Sequence, residues 1–231
     1  DQRGNVWAAQ GTLAASALNF YAASDFASSG ARTPSVKLNV SALSGCIPGA
    51  GALAFDAQGN LWLASLCDNA VYKLSRDLLG ASGTINPLAK LTVPSPGGLA
   101  FDATGRLFVA SKGDGRVYRF DASQLNADAT EPAAKLGVRV STDSANTTIF
   151  SASWLAFDSH GALWFNDFGA NTYVSIPSAS LNGTGSIDVQ PGATVLIDVA
   201  ALLENFAFDE QGGLWSGASS GKVMRLSAAQ L

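Results

Sequence analysis

Charge is scarce in this 231-residue chain. Asp, Glu, Lys and Arg make up 14% of it, against roughly 25% in an average soluble protein. The 14 basic residues are scattered singly under a net charge of −4, so no basic stripe exists to neutralise a phosphate backbone, and nucleic acid is excluded as a partner. The chain has a single histidine, His160, and two cysteines, Cys46 and Cys67. That is too few Cys and His side chains for a structural zinc site, and no second imidazole is available for a Ser-His-Asp triad. No run of about eighteen apolar residues is present, so no transmembrane segment is expected. Asp1-Gln2-Arg3-Gly4 resembles neither a signal peptide nor a transit peptide, and a soluble mature chain is expected.

What is abundant is self-similarity. The stretch from Ala52 to Trp62, with Leu53-Ala54-Phe55-Asp56 and Gly59 at its heart, returns as Gly98 to Phe108, as Trp154 to Trp164 and as Asn205 to Trp215. A shortened copy, Asp1 to Trp7, opens the chain. The marker residues Phe55, Phe101, Phe157 and Phe208 recur at intervals of 46, 56 and 51 residues, a period too long for leucine-rich or ankyrin units and suited to propeller blades.

Each copy reads as a short apolar strand, an Asp-x-x-Gly turn, and a second strand bearing Trp or Phe. A third alternating strand follows, as in Val71 to Leu74, Val117 to Phe120 and Val223 to Leu226, and then a weaker fourth, as in Ser35 to Val40, Leu88 to Val93 and Thr194 to Val199. The expected fold is all-β: one β-propeller domain over 1–231, built of four-stranded antiparallel blades, with five repeats visible and five or six blades in all. The blades fall at about 1–45, 46–93, 94–149, 150–199 and 200–231, and the phase of the repeat leads us to expect that both ends are clipped mid-blade. The segment Leu125 to Phe150 reads as a long loop.

The Leu-Ala-Phe-Asp-x-x-Gly-x-Leu-Trp tract resembles that of the NHL, SMP-30 gluconolactonase and streptogramin lyase group of propellers, and the resemblance runs through all the repeats. That group includes metal-dependent lactonases, a lyase that uses His, and non-catalytic binding modules. What repeats in every blade is scaffold: Asp56, Asp102, Asp158 and Asp209 are expected to cap their turns, and Trp62, Phe108, Trp164 and Trp215 to pack between blades. His160 falls in one of these turns, on the face opposite the candidate pocket, and reads as a surface residue.

Chemistry is sought where the copies differ. Four and three residues before the marker Phe the blades carry Gly51 and Ala52, Gly97 and Gly98, Ser153 and Trp154, then Glu204 and Asn205. At the end of the second strand Ala64-Ser65 and Ala110-Ser111 correspond to Asn166-Asp167 in blade 4. Trp154, Asn166, Asp167, Phe168, Glu204 and Asn205 are therefore the expected ligand-binding residues of the top face. Asn166, Asp167, Glu204 and Asn205 form an oxygen-rich set suited to Ca2+ or Mg2+, and the resemblance to lactonases implies such a metal at the channel mouth. Solvated polar loop residues are the alternative reading. The repeat register also brings Cys46 and Cys67 to loops on one face of one blade; a disulfide is expected there, two buried thiols being the alternative.

Three functions remain open. The leading one is an extracytoplasmic module, secreted, periplasmic or cell-surface, that binds a small ligand, a glycan or a protein at its top face. The second is a metal-dependent lactonase-type hydrolase or a lyase, and the third a structural subunit of a surface assembly.

Overall fold

The computed structural model describes residues 3–12, 15–43, 52–141, 147–149, 151–167, 171–197 and 203–231. The chain is all-β and carries the five sheets of a β-propeller. Among the described residues the only helices are short 3-10 turns, and none is long and apolar enough to cross a membrane. Contacts divide the chain into two compact units, Asp1–Pro96 with Gln124–Thr130, and Gly97–Ser123 with Glu131–Leu231.

The first unit holds blades 1 and 2. Blade 1 consists of Val6–Thr12, Ala15–Tyr21 and Val36–Val40; blade 2 consists of Leu53–Phe55, Leu61–Ser65, Ala70–Leu74 and Ala89–Thr92. Their facing sides form one core around Leu18, Leu38, Leu61, Leu63 and Leu74, each at most 1% exposed. Burying a leucine contributes about 1.5–3 kcal/mol, so this row of side chains is a major term in the unit's stability.

The second unit holds blades 3, 4 and 5. Blade 3 contains Pro96–Phe101, Leu107–Ser111, Val117–Phe120 and Ala134–Ser141; blade 4 contains Ala152–Phe157, Leu163–Asp167, Thr172–Ile176 and Thr194–Leu196; blade 5 contains Leu203–Phe208, Leu214–Ala218 and Val223–Leu226. The aromatic of each second strand meets the marker Phe of the following blade, Phe108 with Phe157 at 5.3 Å and Trp164 with Phe208 at 6.0 Å between centroids. Edge-to-face pairs of this kind add to the burial of the rings themselves. Trp215, expected to be packed in the same way, is 45% exposed and lies under the Arg225 guanidinium.

Two features depart from the expected plan. The segment Leu125 to Phe150 is not one long loop. It contains the outer strand of blade 3, where Ala134, Leu136 and Val138 alternate inward, and a further strand, Thr147–Ile149. The sheets are also not purely antiparallel. Gly83–Ile85, which precedes the outer strand of blade 2, pairs in parallel with the outer strand of blade 1, and Gly185–Val189 does the same to the outer strand of blade 3. Each link covers a sheet edge that would otherwise be left open.

The repeated turn works as its spacing predicts. Asp158 Oδ1 accepts the N–H groups of His160 and Ala162 at 2.9 Å each, and its Oδ2 accepts from Trp164 Nε1 at 2.8 Å. Asp56 and Asp209 bind their turns and Trp62 or Trp215 in the same way. The turn glycines Gly59, Gly105, Gly161 and Gly212 take φ of +82°, +79°, +77° and +74°, a region costly for any side chain with a Cβ. Blade 3 has Phe108 in place of Trp, and Asp102 instead accepts from Arg106 Nε at 2.6 Å. Burial opposes the charge on Asp102, but the Arg106 N–H, the Thr104 hydroxyl and the Arg106 guanidinium outweigh it and hold the carboxyl below its ordinary value. Asp209 is held well below the usual carboxylate range, first by Arg225 and then by Trp215 and the Gly213 N–H. His160 sits exposed in its turn.

Candidate functional site

The columns in which blades 4 and 5 break the repeat are β-bulges. In blade 4, Ala152 pairs with Asp167 and Leu155 with Phe165, so Ser153 and Trp154 together face the single residue Asn166. In blade 5, Leu203 pairs with Ala218 and Phe206 with Ser216, so Glu204 and Asn205 together face Gly217. Four of the residues singled out from the sequence are thus an inserted pair or the residue opposite one, and a bulge is a common way for a strand to re-aim a side chain.

Asn166 is fully buried, and its Oδ1 accepts the N–H of Trp154 at 2.9 Å. That N–H lost its strand partner to the bulge, and the amide replaces it. Asp167 is 7% exposed and its Oδ2 accepts the N–H of Ser151 at 3.1 Å. These oxygens fit the main chain better than a metal: an ion drawing on them would compete with the bonds that hold the first strand of blade 4. Among the described residues no three of His, Cys, Asp and Glu gather as a metal-holding group. Asn205 is exposed, and its carbonyl accepts from the Ser216 hydroxyl at 3.3 Å. Glu204 takes its place on the same strand. Phe168 and Cys46 lie outside the described residues. Among the described residues no cysteine is free.

The bulge leaves the Trp154 ring half-buried at the end of blade 4 that carries the loop between its second and third strands. Lys112, from the corresponding loop of blade 3, places its ammonium 5.8 Å from the centre of that ring. Desolvation by the surrounding protein lowers the Lys112 pKa below the ordinary lysine value. Ser153 beside it is 2% exposed, and its hydroxyl has no hydrogen-bond partner. Lys112 is the member of this group that reading the repeats missed. Its signal was a lone lysine at a loop position where blade 2 carries Leu66.

Gly97 and Gly98 also change meaning. A Cβ on Gly98 would stand 2.5 Å from the Leu155 nitrogen and 2.6 Å from the Trp154 Cα, and one on Gly97 would meet the Ser153 carbonyl. Small residues here are not vacant ligand positions; they let the bulged strand of blade 4 lie against blade 3.

No family model matches the chain, and no curated protein matches it. Solved structures do match in fold. A catalytically inactive virginiamycin B lyase from Staphylococcus aureus with quinupristin is 15% identical, with a TM-score of 0.55 over 100% of this chain and 70% of that one. A putative gluconolactonase is 15% identical, with a TM-score of 0.57 over 96% and 70%. The WD40 propeller domain of Doa1 is 12% identical, with a TM-score of 0.61 over 98% and 62%. These likenesses show the β-propeller fold.

Proposed function

We propose that this chain is a ligand-binding propeller whose recognition surface is the loop end of blades 3 and 4, centred on Trp154 and Lys112. The observation that carries the reading is the bulge: Asn166 and Asp167 are spent on holding a strand that presents an indole beside the exposed Lys112 ammonium. A flat apolar face with an anion next to it is the matching ligand chemistry, and an acidic glycan offers both.

Titration of the protein's tryptophan fluorescence with oligogalacturonate, with a neutral oligoglucan of equal length as control, tests this. Saturable binding of the acidic glycan is expected, weakened roughly tenfold, about 1.4 kcal/mol, in both Trp154→Ala and Lys112→Ala. Equal affinity of wild type and variants would reject the site. Fold likeness to a lactonase and a lyase supports a second reading, catalysis with a divalent ion held by Asp167 and Glu204. Stoichiometric Ca2+ or Mg2+ that is lost in the double variant Asp167→Ala, Glu204→Ala would favour that reading over ours.

The proposal includes an extracytoplasmic setting, with Cys46 and Cys67 joined as a disulfide; the absence of a free thiol among the described residues supports it. Thiol titration of denatured, unreduced protein should find no reactive cysteine. Two reactive thiols would overturn the bridge and the argument for an oxidising compartment with it.

A further inference from the structure

Blade 1 departs from blades 2, 3 and 5 at one cross-strand position. In those blades the residue facing the second-strand aromatic is a cation: Lys73 faces Trp62, Arg119 faces Phe108 and Arg225 faces Trp215. Lys73 lies 3.9 Å from Asp56 and Arg225 lies 2.7 Å from Asp209, so two of these cations also tie down the turn of their own blade. In blade 1 the residue facing Trp7 is Phe20, and the two rings lie 5.1 Å apart. An aromatic wall stands where blades 2, 3 and 5 have a charge and blade 4 has Ser175.

Beside that wall, within the first unit, is a cavity of about 930 Å³, within the size of pockets that enclose small organic ligands, roughly 300–1,000 Å³. Trp7, Phe20 and Phe55 supply its apolar lining, and Arg3 and Arg76 its cations. The two acids at its rim are already engaged. Asp56 holds its own turn and Trp62, while Asp77 makes an exposed pair with Arg76 at 3.4 Å, an interaction that water and salt render weak. Arg76 is oriented in advance: Nη1 donates to the Gln58 carbonyl at 3.2 Å, and its stem packs over Gly59. A planar guanidinium in a cavity that aromatic rings also line matches a carboxylate carried on a flat ring system.

We propose that this cavity binds a small planar aromatic carboxylate, with its rings against Trp7, Phe20 and Phe55 and its carboxylate at Arg76. The site lies on other blades than the loop-end surface and does not depend on it. Calorimetric titration with 2-naphthoate, and with 2-naphthamide as its neutral counterpart, reads it directly. Wild type should bind 2-naphthoate saturably and at least about tenfold more tightly than the amide. Arg76→Gln should remove that preference while leaving the amide's affinity unchanged, and Phe20→Lys, which installs the residue that blade 2 carries at this position, should weaken both ligands at least about tenfold. Absence of saturable 2-naphthoate binding overturns the proposal, as does an Arg76→Gln variant that retains the preference. Arg76 is exposed on a short 3-10 turn, so its variant decides the matter even if Phe20→Lys fails to fold.

Discussion

Gly98→Ala is expected to lower the unfolding free energy by about 3 kcal/mol, the upper end of what an overpacked core methyl costs. The added Cβ would fall 2.5 to 2.8 Å from three backbone atoms of Trp154 and Leu155. Backbone atoms of a hydrogen-bonded strand cannot turn away as a flexible side chain can, so blades 3 and 4 must separate or the bulge must rearrange. For a domain of this size such a loss corresponds to a fall of roughly 6–12 °C in Tm. Gly217→Ala is the matched control, since a Cβ there meets nothing within 4 Å, and its cost should stay within about 0.5 kcal/mol. Thermal and denaturant unfolding of the two variants check the claim, which fails if their stabilities agree. The same variant should weaken glycan binding, because Trp154 is among the residues displaced.

Trp62→Ala is expected to cost about 3–5 kcal/mol. The indole is fully buried, carries the Lys73 ammonium 5.3 Å above its ring, and donates Nε1 to Asp56 at 3.0 Å. Trp62→Phe separates the contributions. It keeps most of the ring but removes the donor, so its cost should be near 1 kcal/mol, the net value of one hydrogen bond. Blade 3 carries Phe at this position already, and there Arg106 supplies the missing donor to Asp102. Asn60→Arg, which exchanges the Asn60 Nδ2 bond to Asp56 Oδ2 at 2.9 Å for an arginine at the position of Arg106, should therefore recover part of the loss in Trp62→Phe. Urea titrations of the single and double variants measure this, and strict additivity of the two changes would show that the arginine does not substitute for the indole.

The repeat was legible because its parts are local. The turn aspartate, the glycine three residues on and the aromatic six residues on bind one another within a single hairpin, so their spacing is written in consecutive residues and recurs wherever the hairpin does. The parallel links are not legible in the sequence, for the opposite reason: Gly83–Ile85 and Gly185–Val189 pair with strands more than forty residues away, and nothing in their own composition names the partner. The segment after Leu125 reads as a loop although Ala134, Leu136 and Val138 alternate, because Gly137 among them has a low strand propensity.

The candidate site shows the same division. Reading the repeats against one another located the columns in which blades 4 and 5 differ, since Trp154, Asn166, Glu204 and Asn205 depart from their counterparts. It could not say that these residues sit at bulges, because a bulge shows itself only in the register of two strands. By itself the sequence determined the number of hairpins, their turns and the residues that interrupt the pattern, all consequences of hydrogen bonds and packing within a few residues. Where Asn166 and Asp167 point, that Lys112 meets Trp154 and that Phe20 borders a cavity are visible in three dimensions alone. Each of these depends on contacts between strands or blades whose distance and register no local pattern encodes.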